Sequence, residues 1–138
     1  HEMEDQIRKL IITMFKNNPE TNLWGFKEIR YDNKKIHFIQ FFKKLFPQTK
    51  VIIQVRENIQ AQSRSGWHKN DKNAPAYIQK MNKELIDFYN QNKEWCYLTS
   101  FEKMFDKNNL QNIFSFIDCR EKYDENKVTE VLNNNIKD

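Results

Sequence analysis

An arginine followed by two serines marks the part of this sequence whose residue types could do chemistry. Arg56 comes directly after the β-branched run KVIIQV of residues 50–55, and Ser63 and Ser65 lie on or just after a short predicted helix. Arginine offers a planar fork of N–H donors and serine adds a neutral donor, so together they suit a phosphate group. The same spacing also fits a solvated arginine that forms a surface salt bridge with Glu57 or another neighbour.

Polar residues also follow two other predicted strands. Lys27 and Glu28 lie near the end of a strand predicted at residues 23–29, and residues 99–102 follow a strand predicted at residues 95–98. In open parallel sheets, ligands bind at the carboxyl ends of the strands. These positions, together with Arg56, are therefore the candidates for a binding site. Within residues 99–102 we expect Glu102 to be a structural hydrogen-bond or ion-pair partner rather than a base.

The elements that must position these residues alternate along the chain. Apolar residues at spacings of three and four predict helices at residues 4–15, 36–46, 73–89, 108–117 and 125–136. Asn58 is predicted to cap a further short helix that runs into Ser65. Strands are predicted at residues 23–29, 50–55 and 95–98. Because strands alternate with helices and no hairpin signal occurs, we predict an α/β fold: a three-layer arrangement of a parallel sheet with flanking helices.

Composition excludes several classes of protein. The chain has 138 residues, of which 38% are hydrophobic and 30% charged, and this predicts a single globular domain spanning residues 1–138. No apolar run is long enough to span a membrane, so no membrane partner is expected. The net charge of +4 comes with dispersed lysines and no basic stripe, so no nucleic-acid partner is expected.

The cysteines and the possible metal ligands exclude two further kinds of site. Cys96 and Cys119 both lie in apolar stretches, which predicts buried free thiols in the cytoplasm or another reducing compartment. Two cysteines cannot form a disulfide framework. His, Cys and carboxylate residues form no cluster with metal-ligand spacing, so no metal is expected.

Four segments in a fixed order carry a resemblance to a known family. They are WGFKEIRY (24–31), KLFPQTKVIIQVREN (44–58), SGW (65–67) and YLTSFEKMF (97–105). Together they resemble the superfamily of sulfotransferases that use 3′-phosphoadenosine 5′-phosphosulfate (PAPS). The resemblance covers about residues 24–117, and the closing helix is similar to the D-E-x-K-V end of that family. It implies a partial P-loop NTPase-like (sulfotransferase) fold, with residues 1–138 as the C-terminal part of the domain.

The resemblance also implies roles for individual residues. Arg56 matches the arginine that binds the 3′-phosphate of PAPS, and Ser65 best matches its serine partner, with Ser63 as the other candidate. Lys27 matches a lysine that faces the transferring sulfuryl group, where a fixed cation stabilises developing negative charge. Phe101 falls where relatives carry a tyrosine beside the adenine. The implied function is sulfuryl transfer from PAPS to a hydroxyl or amine acceptor, and the implied partners are PAPS or its product PAP and that acceptor.

One departure from the family leaves a second function open. The only glycines are Gly25 and Gly66, so the Gly-rich loop that cradles the 5′-phosphosulfate in the family is not among these residues. Since the chain also begins with a histidine, we expect it to be part of a longer enzyme. The alternative is a non-catalytic module, derived from the same fold, that binds a phospho-adenosine ligand or a protein. A sheet edge left open in this way would also allow a homo-oligomer.

Overall fold

A computed structural model describes residues 1–16, 18–28, 35–65, 68 and 70–135 of the chain. The chain divides into two compact units, residues 1–49 and residues 50–138. The first contains α1 (Glu2–Phe15) and α2 (Ile36–Leu45). The second contains β1 (Val51–Val55), α3 (Ile59–Ser63), α4 (Ala74–Gln91), β2 (Cys96–Ser100), a 3₁₀ helix (Glu102–Phe105), α5 (Lys107–Phe116), a 3₁₀ helix (Arg120–Lys122) and α6 (Glu125–Asn135). The prediction of one domain stays a prediction.

In the first unit, α1 and α2 are joined by polar contacts. The Nε of Arg8 donates to the Leu45 carbonyl oxygen at the end of α2 over 2.8 Å, which satisfies one of the acceptors that a helix end leaves unpaired. The Nζ of Lys44 lies 2.6 Å from a carboxylate oxygen of Glu4. None of the fourteen described residues of α1 is buried. The apolar stripe of α1 predicts a buried helix face, but no side chain of that stripe is buried.

An aromatic cluster completes the first unit and explains a wrong prediction. Phe26 stacks on Phe15 with ring centroids 4.8 Å apart and meets Phe42 edge-on at 5.3 Å. Trp24 meets Phe46 edge-on at 5.5 Å. Residues 23–28 form no strand, because their aromatic side chains pack on the two helices while the backbone stays irregular. The predicted strand is wrong over this range, and its last residue, Ile29, lies outside the described residues.

The second unit contains a β-α-β arrangement built on two parallel strands. Strands β1 and β2 pair in register from Val51 opposite Cys96 to Val55 opposite Ser100. The chain passes from one strand to the other through α4, whose apolar stripe includes Ile78 at 1% exposure and Phe88 at 5%. The chain is thus a mixed α/β protein with a parallel sheet. Within its described residues that sheet has two strands, not three.

The remaining helix predictions are confirmed in position. Each of the long helices begins and ends within about two residues of its predicted bounds, which is ordinary variation at helix ends. The predicted end of α6 at Ile136 lies outside the described residues. Asn58 caps α3 as expected, since its Oδ1 accepts from the Ala61 N–H over 2.9 Å. Both predicted thiols are free in the structure, where Cys96 is buried and Cys119 is only half-buried. Among the described helices none combines the length and the apolar character that crossing a membrane requires.

Candidate functional site

The carboxyl ends of β1 and β2 bring Arg56 and Phe101 together. Val55 and Ser100 form the last register pair of the sheet, and the Phe101 N–H donates to the Val55 carbonyl oxygen over 2.8 Å. Arg56 directly follows β1 and Phe101 directly follows β2, so both leave the sheet at the same edge. This is the edge at which open parallel sheets bind ligands.

The side chain of Arg56 stacks on the ring of Phe101. The central guanidinium carbon of Arg56 lies 4.4 Å from the ring centroid, within the range of a cation–π interaction. Phe105 supports the ring from the 3₁₀ helix, meeting it edge-on at 5.4 Å. The Phe101 side chain is still 39% exposed. The edge of the sheet therefore presents a fixed positive charge next to an accessible aromatic surface.

Arg56 keeps hydrogen-bonding capacity for a ligand. Its Nε is buried and has no hydrogen-bond partner among the described residues. No ion pair links its guanidinium to a described carboxylate, so the expected alternative of a salt bridge with Glu57 is not found there. Its backbone is fixed, because Asn82 Nδ2 donates to the Arg56 carbonyl oxygen over 3.1 Å. A buried donor without a partner carries a desolvation cost.

Glu102 ties the two strand ends together. Its Oε2 accepts from the Glu57 N–H and its Oε1 from the Asn58 N–H, each over 3.1 Å. Burial raises the pKa of Glu102, but the backbone N–H groups of Glu57, Glu102 and Asn58 and the charge of Arg56 outweigh it. The pKa of this carboxyl is therefore lower than its ordinary value. The prediction that Glu102 is a structural hydrogen-bond partner is confirmed.

The two candidate serines differ in accessibility. Ser63 is buried at the end of α3, and its hydroxyl donates to the Gln60 carbonyl oxygen over 3.0 Å. Ser65 is exposed just after α3, and its hydroxyl donates to the Gln62 carbonyl oxygen over 2.9 Å. Both hydroxyl protons satisfy carbonyl groups of the short helix. Because its side chain is exposed, Ser65 can rotate toward a ligand more readily than Ser63.

The structure does not place the rest of the SGW segment or Lys27 in this group. Gly66 and Trp67 lie outside the described residues. Lys27 is exposed in the irregular segment of the first unit, whereas Arg56 and Phe101 belong to the second. Residues 23–28 do not form the predicted strand whose end would position Lys27. Its assignment to sulfuryl transfer stays a prediction.

A buried asparagine behind the site was not anticipated. Asn109 on α5 donates to the Lys103 carbonyl oxygen and to the Thr99 hydroxyl, each over 3.0 Å. Its Oδ1 accepts from the Tyr97 hydroxyl over 3.1 Å. These bonds fix the 3₁₀ helix that carries Glu102 against β2. The signal in the sequence is that Asn109 stands four residues before Ile113, on the apolar face of α5.

Neither a metal-binding cluster nor a similar known protein adds to the description of this site. Over the described ranges of the chain, no three His, Cys, Asp or Glu side chains are grouped so that they could hold a metal ion. No protein-family model matches the chain, and no curated protein and no solved structure matches it either.

Proposed function

We propose that the second unit binds an adenine nucleotide that carries a 3′-phosphate, as PAPS and PAP do. One observation carries the proposal. At the carboxyl edge of two parallel strands, the Arg56 guanidinium is stacked on the exposed ring of Phe101, and its buried Nε has no partner among the described residues. A planar cation with free donors suits a phosphate, and an exposed aromatic ring suits a base.

Each proposed contact follows from side-chain chemistry. Arg56 donates to the 3′-phosphate, and an exposed Ser65 adds a hydroxyl when it turns away from Gln62. Ser63 is the weaker candidate, because its hydroxyl is buried within α3. Phe101 stacks on the adenine and supplies no hydrogen bond, since it lacks a hydroxyl group. The phosphate contact therefore provides most of the affinity, and the aromatic contact orients the base.

We propose further that the chain is the C-terminal part of a PAPS-dependent sulfotransferase with a three-layer fold. The ordered sequence segments that resemble this superfamily support the proposal. In such a reaction the acceptor oxygen or nitrogen bonds to sulfur, the sulfur–oxygen bond to PAP breaks, and the acceptor proton passes to a base. This chain would supply the 3′-phosphate and adenine side of the site, with Lys27 stabilising the transferred group.

A non-catalytic module that binds a phospho-adenosine ligand is the second candidate. Two observations favour it. The 138 residues contain only two glycines, Gly25 and Gly66, and no Gly-rich phosphate cradle. The carboxylate of Glu102, which lies at the same sheet edge as Arg56, has both oxygens engaged by backbone N–H groups and is a poor base. A module of this kind would bind the nucleotide without transferring its sulfuryl group.

Calorimetric titration with PAP, and with 5′-AMP as the ligand that lacks the 3′-phosphate, tests the nucleotide site. We expect a clear preference for PAP. Arg56→Ala should weaken PAP binding by about 1.5–3 kcal/mol, the range for a hydrogen bond to a charged group. Arg120→Ala is the matched control, since it removes the same charge from an exposed position in the second 3₁₀ helix. Equal affinity for PAP and 5′-AMP, or an unchanged affinity in Arg56→Ala, would contradict the proposal.

Comparing PAPS with PAP in Lys27→Ala separates the two candidates. PAP lacks the sulfuryl group, so a lysine that faces this group contributes to PAPS binding alone. The sulfotransferase proposal predicts that Lys27→Ala weakens PAPS binding and leaves PAP binding unchanged. A non-catalytic module predicts no difference between the two nucleotides. Lys16→Ala, in the same unit and likewise outside a helix, is the control for a change of net charge.

A further inference from the structure

The turn after Arg56 is held from both sides. Before Arg56, the Phe101 N–H donates to the Val55 carbonyl oxygen over 2.8 Å. After it, the Glu57 and Asn58 N–H groups donate to the two carboxylate oxygens of Glu102, each over 3.1 Å. Arg56 therefore lies between two residues, Val55 and Glu57, that are each hydrogen-bonded to the end of β2. Neither connection uses the guanidinium itself.

The carboxylate of Glu102 has no free oxygen for other work. Two successive backbone amides occupy its two oxygens, which is the charge-assisted kind of hydrogen bond. Its negative charge still acts on Arg56 through space, because Arg56 is among the groups that lower the pKa of Glu102. Because Glu102 attracts Arg56 without accepting a hydrogen bond from it, the N–H donors of Arg56 remain available.

We propose that Glu102 is a positioning residue that holds the Arg56 guanidinium on the ring of Phe101. Its geometry is independent of any ligand, whereas its importance for binding rests on the proposed nucleotide function. Glu102 follows Phe101 directly, and it bonds the two residues that follow Arg56. The carboxylate thereby fixes the aromatic ring and the arginine relative to each other. Loss of the carboxylate would release the turn and let the arginine side chain leave the ring.

Ring-current shifts of the Arg56 side chain test this geometry without a ligand. An aromatic ring shifts the NMR signals of protons above its face, so the Arg56 Nε–H resonance reports the stacking. Phe101→Leu defines the resonance position without the ring. In Glu102→Gln one of the two oxygens becomes an NH₂ group, which cannot accept from a backbone N–H. We expect its Arg56 resonance to move at least half of the way to the position in Phe101→Leu.

Two further variants keep this test decisive. Glu102→Asp retains the charge but is one methylene shorter, so it cannot reach both amides, and we expect the same movement of the resonance. Glu121→Gln removes an equal charge from an exposed site and should leave the Arg56 resonance in place. If Glu102→Gln and Glu102→Asp both leave the resonance at the wild-type position, Glu102 does not position Arg56.

Nucleotide selectivity then connects the positioning role with binding. We expect the preference for PAP over 5′-AMP to fall by about five-fold in Glu102→Gln, the change that corresponds to one hydrogen bond. A variant that is only less stable would lose affinity for both nucleotides in equal proportion and keep its preference. If the wild-type chain shows no preference for PAP, the proposed function fails, and the ring-current test still decides the role of Glu102. If the resonance moves and the preference stays, Glu102 positions Arg56 for another ligand, and the binding part of the inference is overturned.

Discussion

The two units of this chain use similar helical patterns with different results. In the first unit, α1 carries an apolar stripe, yet Leu10 and Met14 of that stripe are 60% and 62% exposed. In the second unit, the equivalent stripe of α4 places Ile78 and Phe88 in the interior against the strands. The comparison shows that apolar spacing predicts where a helix forms, whereas burial depends on whether a second layer is available.

The units also differ in how a carboxylate is held. Glu4 of α1 accepts from the side chain of Lys44, and this hydrogen bond and the charge of Lys44 hold the pKa of Glu4 below its ordinary value. Glu102 of the second unit accepts from backbone N–H groups instead. A bond between two flexible side chains is costly in side-chain entropy and is screened by salt. A bond to backbone amides that secondary structure already orders has less entropy to lose.

The largest expected effect tests the difference in burial. Ile78→Ala should lower the free energy of unfolding by about 2–5 kcal/mol, because it leaves a cavity under the sheet. Met14→Ala removes an exposed side chain from α1 and should change that free energy by less than about 0.5 kcal/mol. Urea unfolding followed by circular dichroism measures both. Equal effects of the two substitutions would show that the stripe of α1 is covered in solution.

A smaller effect tests the difference in polar contacts. Asn109→Ala removes the buried amide that bonds the Tyr97 and Thr99 hydroxyls and the Lys103 carbonyl, and should cost about 1–3 kcal/mol. Thr13→Ala in α1 removes a hydrogen bond to the Lys9 carbonyl that lies in solvent, and should cost less than about 0.5 kcal/mol. The same urea titration compares them. A cost for Thr13→Ala as large as that for Asn109→Ala would contradict the contrast between the units.

The smallest effect is a dependence on pH. Because folding lowers the pKa of Glu4 and of Glu102, both contribute stability above the ordinary carboxyl pKa of 4.5 and lose it as the pH falls through the lowered values. Melting temperatures should therefore fall as the pH decreases below 4.5, and Glu4→Gln and Glu102→Gln should each weaken this fall. High salt should abolish the contribution of Glu4 and preserve most of that of Glu102. Equal salt sensitivity would mean that the two carboxylates are held alike.

Much of the second unit was predictable from the sequence, and particular residues show why. The β-branched run of β1 and the apolar stripe of α4 are local patterns, and both elements form where predicted. The candidate Arg56 and Phe101 come together because two parallel strands in register end side by side. Residues 23–28 gave a strand-like pattern, since aromatic residues favour strands, but here those rings pack on helices while the backbone stays irregular.

Other features depend on contacts that no local pattern encodes. The structural role of Glu102 was predictable from its type and place, but its partners Glu57 and Asn58 were not, because they follow from the pairing of β1 with β2. The place of Asn109 on the apolar face of α5 indicates burial, but it does not identify Tyr97, Thr99 and Lys103 as its partners.

The connection between Glu102 and the turn after Arg56 has a consequence for the order of folding. Glu57 and Glu102 are 45 positions apart, so the chain must close a long loop before their bond can form. Helix α4 can form earlier, from contacts within a few residues. The docking of β2 beside β1 is then the slow, non-local event. The group formed by Arg56, Phe101 and Glu102 assembles only when this docking is complete. We therefore expect it to be absent from earlier folding intermediates and to form together with the native state.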